Sequence, residues 1–414
     1  FRRVLFRSAY ATALLAPGLG GLALLAALVA AGGLAAIVGG PLLRLQSHYY
    51  ALATLALASI VNLVAVHAEA STGGANGLAG FARALPRGPL LLAVVWACLI
   101  ALVLIYAHLS RSRAGERARL LRQAPLLAAT LGIDGGRWRL AAFVIGGALA
   151  GLAGGFSAAL SGVVSPETTG FSIMVLCLTS VVLGGTRHPM GAVLGAALAV
   201  GLPELLRDFQ GAWLLAYAIA TLAVVLWAPE GLAGMVDRLR RAPRDRKEPP
   251  AWPAVLAPTE GPRQLGVDRV VKRFGGVEAL AGISFMVARG EIVGLIGPNG
   301  SGKTTLLNVI CGLERADLGR IALDERPIGH LPAHAIAQSG VGRTFQAHML
   351  EGETRRDELA RALSNAPAFL LLDEPAAGAT DRERAELVET LRRLRDAGLG
   401  LLVIDHDIEL LSRL

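Results

Sequence analysis

The sequence predicts a multi-domain chain of two halves in two solvents, an all-α polytopic membrane domain followed by a smaller α/β domain. Three observations predict it. Of the 414 residues, 53% are hydrophobic and 17% charged, too apolar and too charge-poor for a wholly soluble protein. Before Pro229 the apolar residues come in long runs of Leu, Ala, Val and Gly, whereas after Arg238 charges recur every few positions. Past residue 290 a short apolar run leads into a glycine-rich turn and then a helical pattern.

A spanning helix needs about 20 mostly apolar residues, because hydrocarbon leaves an open backbone unsatisfied. Seven stretches come near that length, at 18–41, 49–67, 89–109, 140–162, 171–185, 190–206 and 213–228. The fifth and sixth are short enough to be broken or re-entrant. Arg111, Arg113, Arg117, Arg119, Arg122, Arg137 and Arg139 crowd the loop 110–139, and a second basic cluster runs from Arg238 to Lys247. Basic residues stay on the cytoplasmic side, so both segments are placed there. The net charge of +8 is thereby accounted for without a nucleic-acid partner.

Glycines four apart, Gly147, Gly151 and Gly155 and again Gly191 and Gly195, mark helix faces where backbones approach closely. Asn62, His67 and the loop "TGGANG", Thr72 to Gly77, sit at or beyond the outer end of a span, as functional candidates or as bonds to a neighbouring helix. Cys98, Cys177 and Cys311 stand singly in apolar surroundings and are expected as reduced, buried thiols. The start "FRRVLFRS" carries no signal core. It is read as a foreign or truncated end and set aside from the fold, inside a first domain of residues 1–238.

Between Leu239 and Gln264 lie six of the twenty prolines among Arg, Asp, Lys and Glu. Such a segment behaves as an extended tether and marks 239–264 as linker. The second domain, 265–414, opens with β-rich runs, "LGVDRVV" and "ISFMVAR", before "EIVGLIG" and alternating helical and strand patterns. That order suggests an α/β domain with an antiparallel appendage.

"GPNGSGKTT", Gly297 to Thr305, follows the expected strand 291–296 and precedes "TTLLNVICGL", the context the phosphate-loop pattern requires. The backbone at Gly297, Asn299, Gly300, Ser301 and Gly302 can curl its N–H groups around phosphate oxygens, and the helix start at Lys303 to Thr305 adds a favourable dipole. Lys303 should reach the β and γ phosphates, and the Thr304 hydroxyl should ligate Mg²⁺. "FLLLDEP" supplies a partner strand ending in Asp373, positioned for Mg²⁺ through water, and Glu374, able to polarise an attacking water. "LLVIDHD" ends a further strand at His406. A histidine at a strand end is usually incidental, and the other motifs raise its value.

With these motifs the second half resembles an ABC-transporter ATPase, and "GRTFQ", "LLLDEPAAG" and "IDHD" resemble the ATP-binding subunits of branched-chain amino acid importers. The resemblance implies ATP and Mg²⁺ as cofactors. It implies that Phe274 stacks on adenine, although a core aromatic before a turn is an equal reading. It implies that Gln346 senses the γ-phosphate, joins Thr304 and Asp373 at the metal and contacts the membrane domain, and that His406 is the switch histidine. In the family a helical subdomain of some dozens of residues separates the glutamine of "TFQ" from the signature loop that clamps the opposite monomer's ATP. Here Gln346 and Gly352 are six positions apart, and Leu350, Glu351, Gly352 and Glu353 stand in a degenerate signature without its serine. Leucine cannot donate to a phosphate and glutamate repels one. "MLEGETRRDELARAL" keeps Arg356 and Arg361 in the expected places. The expected fold is therefore a P-loop NTPase of ABC type lacking most of its helical subdomain.

"SHYYALATLALASIV", "TGGANG", "VVLGGTRHPMGAVLGAAL" and "WAPEGLAG" resemble the permease subunit of the same importers, over about Ala9 to Gly234. By that likeness "APLLAATLGID" is the cytoplasmic coupling helix, and Leu127, Ala128, Ala129, Leu131 and Gly132 are its contacts with the ATPase. An arginine-rich loop lying on membrane lipid headgroups is the other reading of the segment, and both can hold. The resemblance implies ATP-driven import of branched-chain or related amino acids across the bacterial inner membrane, with the ATPase cytoplasmic. It implies a second permease, a second ABC ATPase subunit and a periplasmic substrate-binding protein as partners. A non-hydrolysing ATP-binding remnant or scaffold, and an importer of urea or short amides, are the alternatives.

Overall fold

The structure, a computed structural model, describes all residues except 1, 46, 82–87, 166–170, 186–189, 206–212, 228–230, 241–260 and 346–353. The chain divides into two compact units. One comprises residues 1–114 and 136–244; the other comprises 115–135 and 245–414.

The first unit is helical. Apolar runs form Ala23–Leu42, Ser47–His67, Pro89–Arg111, Gly135–Ser161, Phe171–Gly184, Gly191–Leu205 and Trp213–Trp227, so each of the seven expected stretches falls on a helix. Among the described residues four helical stretches are long and apolar enough to cross a membrane, Thr12–Leu42, His48–His67, Pro89–Arg111 and Gly135–Ser161. Val29, Ile37, Leu104 and Leu178 are exposed, the surface that lipid rather than water would cover. Arg2–Leu19 is one helix, turning through Gly20–Leu22 into the next, so the set-aside residues 2–8 are helical.

The glycine spacing places backbones in contact. A Cβ on Gly184 would stand 1.7 Å from Gly191 O, and one on Gly195 would stand 1.8 Å from Ser180 O. Helices Phe171–Gly184 and Gly191–Leu205 therefore touch main chain to main chain. Gly151 meets Ala31 and Ala27 in the same manner, and Gly147 is buried. His67 Nδ1 bonds its own helix at Leu63 O (2.9 Å), and Thr72 Oγ1 donates to Ala65 O (2.6 Å) and Ala68 O (2.8 Å), so both residues close a helix end.

The second unit carries two sheets. A parallel sheet runs in the order Ile292–Leu295, Gly400–Ile404, Phe369–Asp373, Val341–Arg343. An antiparallel sheet orders Val277–Ala288, Gln264–Phe274, Leu318–Leu323 and Arg326–Pro327, the expected appendage. Gly400–Ile404 and Phe369–Asp373 are buried at every position, as strands covered on both faces must be. Helix Lys303–Ile310 packs Leu306, Leu307, Val309 and Ile310 into one core, and helix Asp381–Asp396 packs Leu387 and Leu391 into the other. The linker reading falls partly outside the described residues, with helix Gly231–Arg240 entering it and strand Gln264–Phe274 leaving it.

In the cytoplasmic segment 110–139 the expected coupling helix is present as Pro125–Thr130, and a further helix not expected from the sequence, Arg113–Gln123, precedes it. Pro125 at the first turn suits a helix start, where its missing N–H costs nothing.

Candidate nucleotide and coupling site

Strand register assembles the nucleotide edge. Ile404 pairs with Leu295 on one side and Asp373 on the other. The three strands therefore end in line, and the segments that follow them, 296–302, 374–376 and 405–407, leave the sheet at one carboxyl edge, where open α/β sheets hold ligands.

The phosphate loop is built on glycine. Gly300 and Gly302 take φ of +82° and +89°, and a Cβ on Gly302 would lie 2.2 Å from Ala279 O, so both conformation and space require glycine there. Lys303, 8% exposed, begins the helix and donates from Nζ to Gly297 O (2.7 Å) and Pro298 O (2.8 Å). Its ammonium is thus held against the loop it serves. Thr304 is exposed beside it.

Asp373 is buried at the strand end, with Arg343 Nη2 3.3 Å from its Oδ2. Arg343 also donates from Nη1 to Asn308 Oδ1 (2.6 Å) on the phosphate-loop helix. Burial holds the Asp373 carboxyl above its ordinary value, and the Arg343 charge and hydrogen bond, with the Thr304 hydroxyl, pull it back. Asp373 Oδ1 is buried without a hydrogen-bond partner. An orphaned carboxylate oxygen near an exposed hydroxyl is a donor set that fits hydrated Mg²⁺.

Glu374 follows in left-handed backbone, φ +47°, its N–H fixed to Ile404 O at 2.8 Å. A non-glycine residue so held is strained, a condition that gathers at functional sites. Asp405, buried and absent from the sequence reading, ties the neighbouring segments: its carboxylate accepts from Ala376 N (3.4 Å) and Asp407 N (3.0 Å). His406 stands largely exposed, Nδ1 3.7 Å from Asp405 Oδ1. The "DHD" spacing marked the histidine and gave no signal for the aspartate that orients its loop. Phe274 is 47% exposed, which removes the core-aromatic reading, and Lys272 Nζ lies 5.1 Å from its ring centroid.

Gln346, Leu350, Glu351, Gly352 and Glu353 lie outside the described residues. The ends flanking them are joined, Phe345 N donating to Glu358 Oε1 at 2.5 Å. Beyond them helix Arg355–Leu363 is capped by Thr354 in a reciprocal box with Asp357. Arg356 pairs with Glu386 at 2.5 Å, a structural tie.

The coupling segment packs within this same unit. Leu127 and Ala124 share an apolar cluster with Phe345, against which Leu120, Leu131 and Leu313 pack. Ala128 is fully buried and Ala129 half-buried. Gly132, φ +75°, lies against Gln338. Sequence reasoning missed the receiving side: His334 and Gln338 from helix Ala333–Gln338, Asn365 and Phe345. These are ordinary polar and aromatic residues whose proximity no spacing discloses.

The family model described as the permease component of the branched-chain amino acid transport system matches residues 3–228. The ABC transporter model matches residues 280–351. An ABC transporter ATP-binding protein of Azorhizobium caulinodans is 32% identical, over 36% of this chain and 71% of its own length. The lipopolysaccharide export system ATP-binding protein LptB of Escherichia coli K12 is 31% identical, over 35% and 80%. The high-affinity branched-chain amino acid transport ATP-binding protein BraF of Pseudomonas aeruginosa is 31% identical, over 35% and 83%. The first alignment runs over 200 residues while taking in only 36% of a 414-residue chain, so dozens of the relative's positions face no residue here.

Proposed function

The chain belongs to the branched-chain amino acid transport permease family and joins to that permease an ABC-transporter ATP-binding domain, and from this we propose that it imports branched-chain or related amino acids across the bacterial inner membrane at the expense of ATP. The observation that carries the reading is the presence, in one polypeptide, of the permease match over 3–228 and a carboxyl edge that gathers the phosphate loop, Asp373, Glu374 and His406. BraF, named for branched-chain amino acid transport, supports the substrate class. LptB, named for lipopolysaccharide export, matches the ATPase half alone, and the permease match favours import.

In this reading the N–H groups of Asn299 to Thr304 and the Lys303 ammonium bind the phosphates of ATP, and Phe274 stacks on the base. Thr304 and Asp373 would hold Mg²⁺, which would neutralise phosphate charge when bound. Glu374 polarises the attacking water, and His406, on the loop oriented by Asp405, faces the γ-phosphate. By the family resemblance Gln346, outside the described residues, would complete the metal and γ-phosphate contacts. Closure of this domain on a second ATPase is transmitted through Leu127 to Gly132, with a second permease and a periplasmic binding protein completing the transporter.

A second reading has its own support. The alignment positions without counterpart, together with Leu350 and Glu351 where the family signature has a hydroxyl, favour a subunit that binds ATP without hydrolysing it. Uptake of labelled leucine, isoleucine and valine into vesicles holding the chain and its partners tests both. Expected are accumulation of these amino acids over urea and acetamide, and loss of accumulation in Lys303→Ala. Unchanged uptake in that variant would sink the import reading; nucleotide binding without turnover, indifferent to Glu374→Gln, would establish the second.

A further inference from the structure

Helix Pro125–Thr130 ends in a left-handed glycine. Gly132 N donates to Ala129 O (3.0 Å) and Ile133 N to Ala128 O (3.0 Å), the paired bonds that close a helix through a C′ glycine. This closure satisfies the helix's own last carbonyls and leaves those of Leu131 and Gly132 directed elsewhere. Asn365 Nδ2 donates to Leu131 O at 2.9 Å, and Gln338 Nε2 donates to Gly132 O at 2.8 Å. Two residues on, Asp134 Oδ2 lies 3.6 Å from His334 Nε2. Three side chains of the ATP-binding domain, from two elements far apart in sequence, thus converge on four consecutive residues of the permease half.

We propose that His334, Gln338 and Asn365 form a polar latch that seats this chain's own coupling segment, in cis, on its own ATP-binding domain. The apolar contact of Leu127 and Ala124 with Phe345 supplies adhesion without direction, because apolar contact is non-directional. The latch supplies register. Two amides reading main-chain carbonyls and one side-chain pair fix the segment along its axis, since a slip of one residue breaks all three contacts. Both amide bonds are solvent-exposed, so a partner presenting other geometry is disfavoured by the lost match of donors to carbonyls rather than by a burial penalty. Covalent connection between the halves raises the local concentration of one for the other and favours the intrachain pairing. The latch rests on the coupling role assigned above, and its test needs no transport.

The full chain carrying Asp134→Cys and His334→Cys is oxidised in membranes, and the product is mapped by mass spectrometry. In parallel, one tagged chain carrying Asp134→Cys is co-expressed with a differently tagged chain carrying His334→Cys. The expected result is a disulfide within one chain, at least about tenfold over the product joining the two tags. Adding Gln338→Ala and Asn365→Ala lowers that yield several-fold, while Gln338→Asn with Asn365→Gln, which keep amides at altered reach, recover part of it. A product joining the two tags overturns the cis assignment. Absence of either product in folded protein overturns the seat itself, and a second pair, Leu131→Cys with Asn365→Cys, guards against a single mispositioned thiol. Failure of amino acid uptake with the intrachain bond intact would count against the transport reading alone.

Discussion

Arg343 reaches Asp373 at 3.3 Å with both side chains buried, 1% and 2% exposed. The same guanidinium lies 4.7 Å from the ring centroid of Phe345, which packs against Leu127 of the coupling segment. One buried cation therefore touches the Asp373 carboxylate and the Phe345 ring of the apolar cluster that holds Leu127. Breaking a buried ion pair from one side leaves an uncompensated charge, at a cost of about 3–5 kcal/mol. Arg343→Met should lower the unfolding temperature of the nucleotide unit markedly, and Arg343→Met with Asp373→Asn should recover much of the loss. Thermal melts of the solubilised chain followed by a nucleotide-domain probe check this.

Gly302→Ala should abolish nucleotide binding. The added methyl would meet Ala279 O at 2.2 Å in a backbone of φ +89°, and backbone strain of this sort costs of order 1–3 kcal/mol before the clash is counted. Fluorescent ATP-analogue titration reads it directly.

Glu374→Gln should retain ATP binding and lower hydrolysis about a hundredfold or more, the scale of a lost general base. Lys303→Ala should weaken binding itself. A Glu374→Gln variant with unchanged turnover would assign the base elsewhere.

Gly132→Ala should loosen the coupling segment while sparing nucleotide affinity. At φ +75° a methyl is strained, and it would stand 3.1 Å from Gln338 Cγ. The expected cost is about 1 kcal/mol or more, seen as reduced uptake per ATP hydrolysed.

Burial pushes the Cys311 thiol up from 9.0 to about 11, with the Arg343 charge and hydrogen bond opposing it. The fold therefore favours the protonated thiol. Below pH 9 both folded and unfolded states carry it, and no penalty arises. Between pH 9 and 11 the unfolded chain releases the proton while the folded one retains it, so stability falls as pH rises. Cys311→Ala should flatten that decline in melts recorded across the window.

Several parts of this molecule were legible in order of residues alone because their physics is local. Runs of Leu, Ala and Val become helices wherever about 20 residues must hide their backbone, and every expected stretch did. The spacing of Gly297 to Thr304 encodes a loop whose geometry depends on residues it contains. Asp373 was legible because four apolar residues precede it. Helix Arg113–Gln123 was less so, since four arginines, at 113, 117, 119 and 122, masked a short amphipathic pattern, and residues 2–8 were set aside although they are helical.

The sequence by itself determined the two solvents, the phosphate loop and the acidic strand end, all of which follow from composition or from neighbours a few positions apart. Only tertiary structure decided that Arg343 pairs with Asp373, that Asp405 holds the loop of Glu374, and that His334, Gln338 and Asn365 meet residues 131–134. Those partners lie from about thirty to more than two hundred positions apart. No periodicity links them; strand order and helix packing bring them together, and for the buried Arg343–Asp373 and Asp405 contacts the cost of leaving a buried polar group unpaired selects the residues found there.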